Sequence, residues 1–212
     1  LRRWAGLLGG GACLIVDEAF IDVTPEMSLL TELGAEADWP HNLIVLRSFG
    51  KFFGLAGIRL GFVFSAAIHR QRLQKLLGLW SVNGPAQHLA ILAFNDKTWH
   101  AQQRELLIAR AQQCQSLFAS LLTLPGISPQ ASQPLFLSFT MPRALALALQ
   151  DFFAKHAILL RVITCDGERS LLRIGLLANS QQHQARVRAT LAAFMAQWPA
   201  ATALASALSG EC

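Results

Sequence analysis

The chain has 212 residues, 53% of them hydrophobic and only 15% charged, with a formal net charge of +5. A disordered linker needs the reverse balance of low hydrophobicity and high charge, so that class is excluded. The positive mean hydropathy, +0.38, does not make a spanning helix: the longest uncharged apolar run, Ala5 to Val16, is broken by Gly9-Gly10-Gly11 and stops at Asp17, short of the ~18 residues a span requires. Lysines and arginines are scattered with no stripe suited to nucleic acid, so neither a nucleic-acid nor a membrane partner is expected. A few placed arginines fit a small anionic ligand better. Cys13, Cys114, Cys165 and Cys212 show no C-x-x-C spacing and the six histidines no H-x-x-x-H pair. This argues against a metal site or a disulfide framework and points to a reducing, cytoplasmic setting.

In chain order, strand-like and helix-like stretches alternate, the signature of an α/β architecture. Leu1 stands in what reads as the middle of a helix, with no signal peptide, as expected of a fragment; Gly9-Gly10-Gly11 reads as that helix's C-cap and turn. Cys13–Val16 predicts a buried parallel strand ending at the acidic pair Asp17-Glu18. Leu43–Leu46 predicts a second, ending at Arg47-Ser48, and Ile58–Phe64 a third, framed by Gly57 and interrupted by Gly61. Ser65 is placed to cap a helix to about Leu77, with Ile68, Leu73, Leu76 and Leu77 on its apolar face. Two helices follow from Pro85 to about Leu122, broken near Asn95-Asp96, and Pro125-Gly126 marks a turn. Beyond it come a strand at Leu135–Phe139, a helix at Pro142–His156, a strand pair at Ile158–Ile163 and Leu171–Leu176, and a last helix capped by Asn179 or Ser180 and ending at Trp198-Pro199. A larger domain is expected over residues 1–100, a smaller α/β domain over 101–198, and a frayed tail over 199–212.

The chemistry concentrates in residues 47–61, RSFGKFFGLAGIRLG. Lys51 follows a buried strand among Phe49, Phe52 and Phe53. An ordinary lysine, of pKa ~10.4, is a poor nucleophile at neutral pH. An apolar setting made cationic by Arg47 and Arg59 would lower that value and activate the amine. A phosphate-loop reading of Gly50-Lys51 fails, because Val45 and Phe52 stand where that motif needs a glycine and a hydroxyl residue. Asp17 lies at the C-terminal end of a strand, where open α/β sheets place ligand-binding groups. Ser48 and Arg59 together suit a phosphate, and Gly54, Gly57 and Gly61 allow close backbone approach. Taken singly, each has a plainer reading: a surface lysine over aromatics, a loop-start aspartate, a turn hydroxyl, a surface ion pair.

Asp17-Glu-Ala-Phe20, Ser48-x-x-Lys51 and Gly54-Leu-Ala-Gly-x-Arg59-x-Gly61 together resemble the pyridoxal-phosphate-dependent aminotransferases of fold type I, class I/II. Within that superfamily DEAFIDVTPE at 17–26, VLRSFGKFFGLAGIRLGF at 45–62, WSVN at 80–83, ILLRV at 158–162 and LLRIGL at 171–176 are most similar to the threonine-phosphate decarboxylases of cobalamin biosynthesis. The resemblance implies part of a large-domain, mostly parallel sheet followed by a small α/β domain. It implies that Lys51 holds the cofactor aldehyde covalently, that Asp17 pairs with the pyridinium nitrogen, and that Ser48 and Arg59 hold the cofactor phosphate. Arg173 would meet the substrate carboxylate with Arg161 beside it, and Asn83 would line the substrate pocket. A homodimer acting on a small phosphorylated amino-acid substrate is the expectation. The implied activity is decarboxylation of L-threonine O-3-phosphate; a histidinol-phosphate-type aminotransferase, or an inactive fragment of either, is the alternative. Two departures stand out. Phe20 occupies a position where many members carry tyrosine, and this chain has no tyrosine. The family's N-terminal segment, which supplies a glycine-containing phosphate loop, a ring-stacking aromatic and an asparagine, does not precede Asp17, so half a site is expected.

Overall fold

The computed structural model of the chain describes residues 11–33, 39–130 and 134–209. It divides into two compact units, Leu1–Arg104 and Glu105–Cys212. Leu1, Gly9, Gly10 and Cys212 of the sequence reading lie outside the described residues.

In the first unit β1 (Leu14–Asp17) pairs parallel with β2 (Leu43–Ser48), and β2 pairs antiparallel with β3 (Gly61–Ser65). The Leu-Ile-Val-Leu run of β2 makes it the central strand: Leu43 and Val45 are wholly buried and pack with Leu29 of a short helix, α1 (Leu29–Leu33). The path from β1 to α1 runs through two 3-10 turns, Ile21–Val23 and Pro25–Met27. Beyond β3 come α2 (Ala67–Leu77), α3 (Gly84–Asn95) and α4 (Lys97–Phe118), with the predicted break falling at Asp96. Asp96 Oδ1 accepts from Trp99 N–H at 2.9 Å, opening α4.

The second unit is a four-stranded antiparallel sheet, ordered β4 (Ser128–Pro129), β5 (Phe136–Pro142), β7 (Arg169–Gly175), β6 (Arg161–Thr164). Alternation sends Leu137, Phe139, Met141, Leu172 and Ile174 to one face. There they meet Leu145, Leu149 and Phe153 of α5 (Arg143–Lys155) and Val187, Leu191 and Phe194 of α6 (Gln181–Ser209) in one continuous core. Ser180 caps α6, its Oγ accepting from His183 N–H at 3.3 Å.

The structure departs from the sequence reading in several places. Among the described residues β1 and β3, expected as buried parallel strands, are edge strands with Ile15 and Phe64 exposed, and β3 runs antiparallel to β2. The third strand begins at Gly61, because Ala56–Ile58 forms a 3-10 turn closed by Arg59 in the left-handed region. Ser65 does not cap α2: it stays in the ladder opposite Ile44, buried, and Ala66 takes the cap position without a side-chain bond. On the helix so formed, Ile68, Leu76 and Leu77 are exposed. The last helix runs past Trp198 to Ser209, since the alanine-rich segment after Pro199 has high helix propensity. Among the described residues no helix is long and apolar enough to cross a membrane.

Candidate active site

The C-terminal ends of β1 and β2 and the start of β3 lie at the same end of one sheet, and the loops leaving that end carry the predicted residues. Asp17 closes β1 opposite Leu46; Ser48 closes β2 opposite Gly61, two residues beyond Arg59. Asp17 is exposed, and its Oδ1 accepts from Ala19 N–H at 2.9 Å. Ser48 Oγ accepts from Gly50 N–H at 3.3 Å, fixing the turn that leads into Lys51. A Cβ on Gly50 would lie 2.9 Å from Ala56 Cα, so only glycine lets this turn pack against the turn that presents Arg59.

Arg59 holds φ 56°, a conformation costly for a side chain with a Cβ. Its guanidinium donates to Ala56 O at 3.4 Å. Asn83 also reaches this loop: its Nδ2 donates to Ile58 O at 3.3 Å while its Oδ1 caps α3 through Ala86 N–H at 2.8 Å. Lys51 is exposed, with Nζ 5.5 Å from the centroid of the Phe20 ring, so the position lacking tyrosine offers an aromatic face to the amine. Among the described residues Asp17, Lys51 and Arg59 make no ion pair. The loops at this sheet end thus carry one carboxylate, one amine, one hydroxyl and one guanidinium, with no ion pair among them in the described residues.

The apolar, cation-rich surroundings expected for Lys51 are not those found. The phenylalanines beside it turn inward: Phe49 and Phe52 are buried, Phe49 stacks on Phe53 at 4.3 Å, and Phe52 packs edge-on against Trp99. Arg47 spends its charge elsewhere. Its Nη1 lies 3.5 Å from Glu18 Oε2, its Nη2 pairs with Asp22 Oδ1, and Nη1 also donates to Ser28 Oγ at 3.3 Å.

Glu18 is the residue whose role sequence reasoning missed. It is buried, its N–H continues the ladder to Leu46 O at 2.8 Å, and its carboxylate accepts from Ser28 Oγ at 2.6 Å and Leu29 N–H at 2.7 Å. The available signal was the Asp-Glu pair at a strand end: alternation sends adjacent side chains opposite ways, one to the open loop region and one inward.

Arg161 and Arg173 belong to the second unit, where they are direct partners across β6 and β7. Like charges directly opposite in an antiparallel pair are destabilising. The Arg173 guanidinium carbon lies 3.9 Å from the Phe136 ring centroid, while Arg161 is exposed. The two cations share the face opposite the core, with Ser138 facing Arg173 on the other side.

The aminotransferase class I and II family model matches residues 9–190. A threonine-phosphate decarboxylase from Pseudomonas aeruginosa is 42% identical over 195 residues, covering 92% of this chain and 54% of that protein. A histidinol-phosphate aminotransferase from Lactiplantibacillus plantarum is 28% identical over 175 residues, covering 82% of this chain and 47% of its own length. The chain therefore spans about half the length of these curated relatives. The crystal structure of histidinol-phosphate aminotransferase from Sinorhizobium meliloti in complex with pyridoxal-5'-phosphate superposes with a TM-score of 0.66 at 22% identity, over 89% of this chain and 51% of that one. At that identity the match shows a shared fold, the fold type I architecture that the motifs implied. With the family model spanning both units, and the lysine, aspartate, serine and arginine of its motifs assembled at one sheet end, the chain belongs to the aminotransferase class I and II family of enzymes.

Proposed function

We propose that this chain carries the cofactor-binding half of a pyridoxal-phosphate-dependent threonine-phosphate decarboxylase. The observation that carries the reading is the convergence of Asp17, Ser48, Lys51 and Arg59 at one end of the sheet without mutual ion pairing. The donor set fits the group: a hydroxyl and a guanidinium for a phosphate, a carboxylate for a basic ring nitrogen, an exposed amine for an aldehyde. The tight Gly50–Ala56 contact holds the hydroxyl turn against the guanidinium turn. When bound, pyridoxal phosphate supplies an electron sink for the pair released as a bond at the substrate Cα breaks.

The chain's own residues supply the rest. Asp17 keeps a proton on the ring nitrogen; Ser48 and Arg59 anchor the phosphate. Arg173 and Arg161 take the substrate's anionic groups, which offsets the repulsion between the two guanidinium groups. Lys51 Nζ carries a proton to or from Cα, and Asn83 borders the loop bearing Arg59. Identity of 42% to a threonine-phosphate decarboxylase supports L-threonine O-3-phosphate as substrate, with loss of its carboxylate and formation of an aminopropanol phosphate as a step in cobalamin biosynthesis. The second reading, amino transfer from histidinol phosphate, is supported by the 28% identical relative. A cytoplasmic homodimer belongs to the same proposal, and sedimentation equilibrium tests the dimer.

The test is reductive trapping. The chain is incubated with pyridoxal phosphate, treated with borohydride, and the modified lysine mapped by mass spectrometry. Label confined to Lys51 and lost in Lys51→Ala is the expected result; label scattered over surface lysines would overturn the reading. Release of carbon dioxide from phosphothreonine then supports the decarboxylase, whereas amino transfer from histidinol phosphate to 2-oxoglutarate would sink it in favour of the second reading.

A further inference from the structure

We propose that Arg47 is a positioning residue for the phosphate end of the site, anchored by Glu18, Asp22 and Ser28; this rests on the cofactor reading above. The guanidinium meets three acceptors drawn from one segment: Glu18 Oε2 at 3.5 Å, Ser28 Oγ at 3.3 Å and Asp22 Oδ1. Each acceptor is itself held. Glu18 is locked by Ser28 Oγ and Leu29 N–H, and the Asp22 carbonyl accepts from Arg104 Nε at 2.9 Å.

On its other side the Arg47 backbone is fixed just as closely. Its carbonyl oxygen would lie 3.3 Å from a Cβ on Gly61, so β3 approaches β2 here as only glycine comfortably permits. Arg47 is thus gripped through its side chain from the β1 side and through its carbonyl from the β3 side. Ser48 follows it directly, and Arg59 lies two residues before Gly61. Asp22, Arg47 and Ser48 also border one open cavity of about 270 Å³, lined in addition by Phe49, Phe62 and Phe94. A shift of Arg47 therefore moves both groups assigned to the phosphate. Lys51 is less directly coupled, standing beyond the Gly50 turn. A planar five-donor fork satisfies several acceptors at once, which a lysine ammonium does not reproduce in the same geometry.

The proposal separates phosphate recognition from aldehyde capture. The full chain, its Arg47→Lys variant and the double variant Glu18→Gln/Arg47→Met are titrated with pyridoxal phosphate and, separately, with phosphate-free pyridoxal. Half-saturation of borohydride trapping at Lys51 is read by mass spectrometry. The double variant removes the most deeply buried carboxylate together with its cation, and leaves Asp22, whose side chain is 13% exposed, within reach of solvent. Its half-saturation for pyridoxal phosphate is expected to weaken about tenfold, with Arg47→Lys intermediate and pyridoxal unchanged within about twofold. Equal losses for both aldehydes, or none for either, would overturn the proposal while leaving the cofactor reading intact. If the unaltered chain traps neither aldehyde at Lys51, the cofactor reading fails and this proposal with it. Should the double variant not fold, as judged by its melting curve, Arg47→Lys alone decides by the same split between the two aldehydes.

Discussion

The two units carry similar secondary structure but solve the burial problem differently. In the second, sheet and helices close on one another, and the core from Cys114 through Phe153 to Phe194 is continuous. In the first, the closed core is small, centred on Leu29, Leu43 and Val45. Large apolar side chains remain in water along it: Ile15 in β1, Phe64 in β3, Leu76 in α2, and Leu79 and Trp80 beyond, the last two almost fully exposed. Among the described residues β1 and β3 each pair on one side only, leaving edges that invite further pairing. The unit with the assembled chemistry is the one with the less complete core.

The sharpest way to break that comparison is to truncate one large side chain in each unit. Phe153, wholly buried, is expected to lose about 3–5 kcal/mol on replacement by alanine, through lost burial and the cavity left behind. Trp80→Ala, at a site 93% exposed, should stay within about 0.5 kcal/mol. Urea unfolding of both variants checks this; a large loss at Trp80 would mean that its surroundings are packed in solution.

Arg59 sharpens the comparison within the first unit. Its left-handed backbone favours glycine, so Arg59→Gly should be more stable than Arg59→Ala by about 1 kcal/mol. Both variants lose the guanidinium and should bind pyridoxal phosphate more weakly. Melting curves beside trapping titrations would show strain and function drawn from one residue; equal stability of the two variants would remove the strain.

The smallest effect belongs to the second unit. Asp166, in the turn joining β6 and β7, has its carboxyl held below the ordinary aspartate value by the backbone N–H groups of Arg169 and Glu168, then by the Arg169 charge. A carboxylate with a depressed folded-state value adds stability above its unfolded value and loses it as pH falls through the folded one. The stability advantage over Asp166→Asn should therefore be present at neutral pH and vanish in acid. Melting of both proteins across an acid series measures it; a constant difference would show that the turn does not depend on the charge. Cys114 provides a control for integrity of this unit, since burial pushes its thiol up and should protect it from alkylation while exposed Cys165 reacts.

Much of this architecture was legible in the residues. The presence of strands at β2 and β7, the Asp96 break, the Pro125-Gly126 turn with Gly126 at φ 76°, and the Ser180 cap all follow from local rules. The misses have one cause. Ser65 has the chemistry of a cap but is kept by its pairing with Ile44, and Ile68, Leu76 and Leu77 of α2 stay exposed among the described residues. Local propensity reports what a segment can do, not what its neighbours leave it to do.

The sequence by itself determined the α/β class, the order of the elements and the identity of Lys51, Asp17, Ser48 and Arg59 as chemical candidates, because those depend on periodicity and on residue type at short spacing. Only the tertiary structure decided that Arg47 is consumed by Glu18 and Asp22 rather than lent to Lys51, that Phe20 lies under the amine, and that Arg161 faces Arg173. The reason is physical. Charge pairing and strand register join residues tens of positions apart, and which partners meet is decided by how sheets and turns close, a long-range matter that no local pattern encodes.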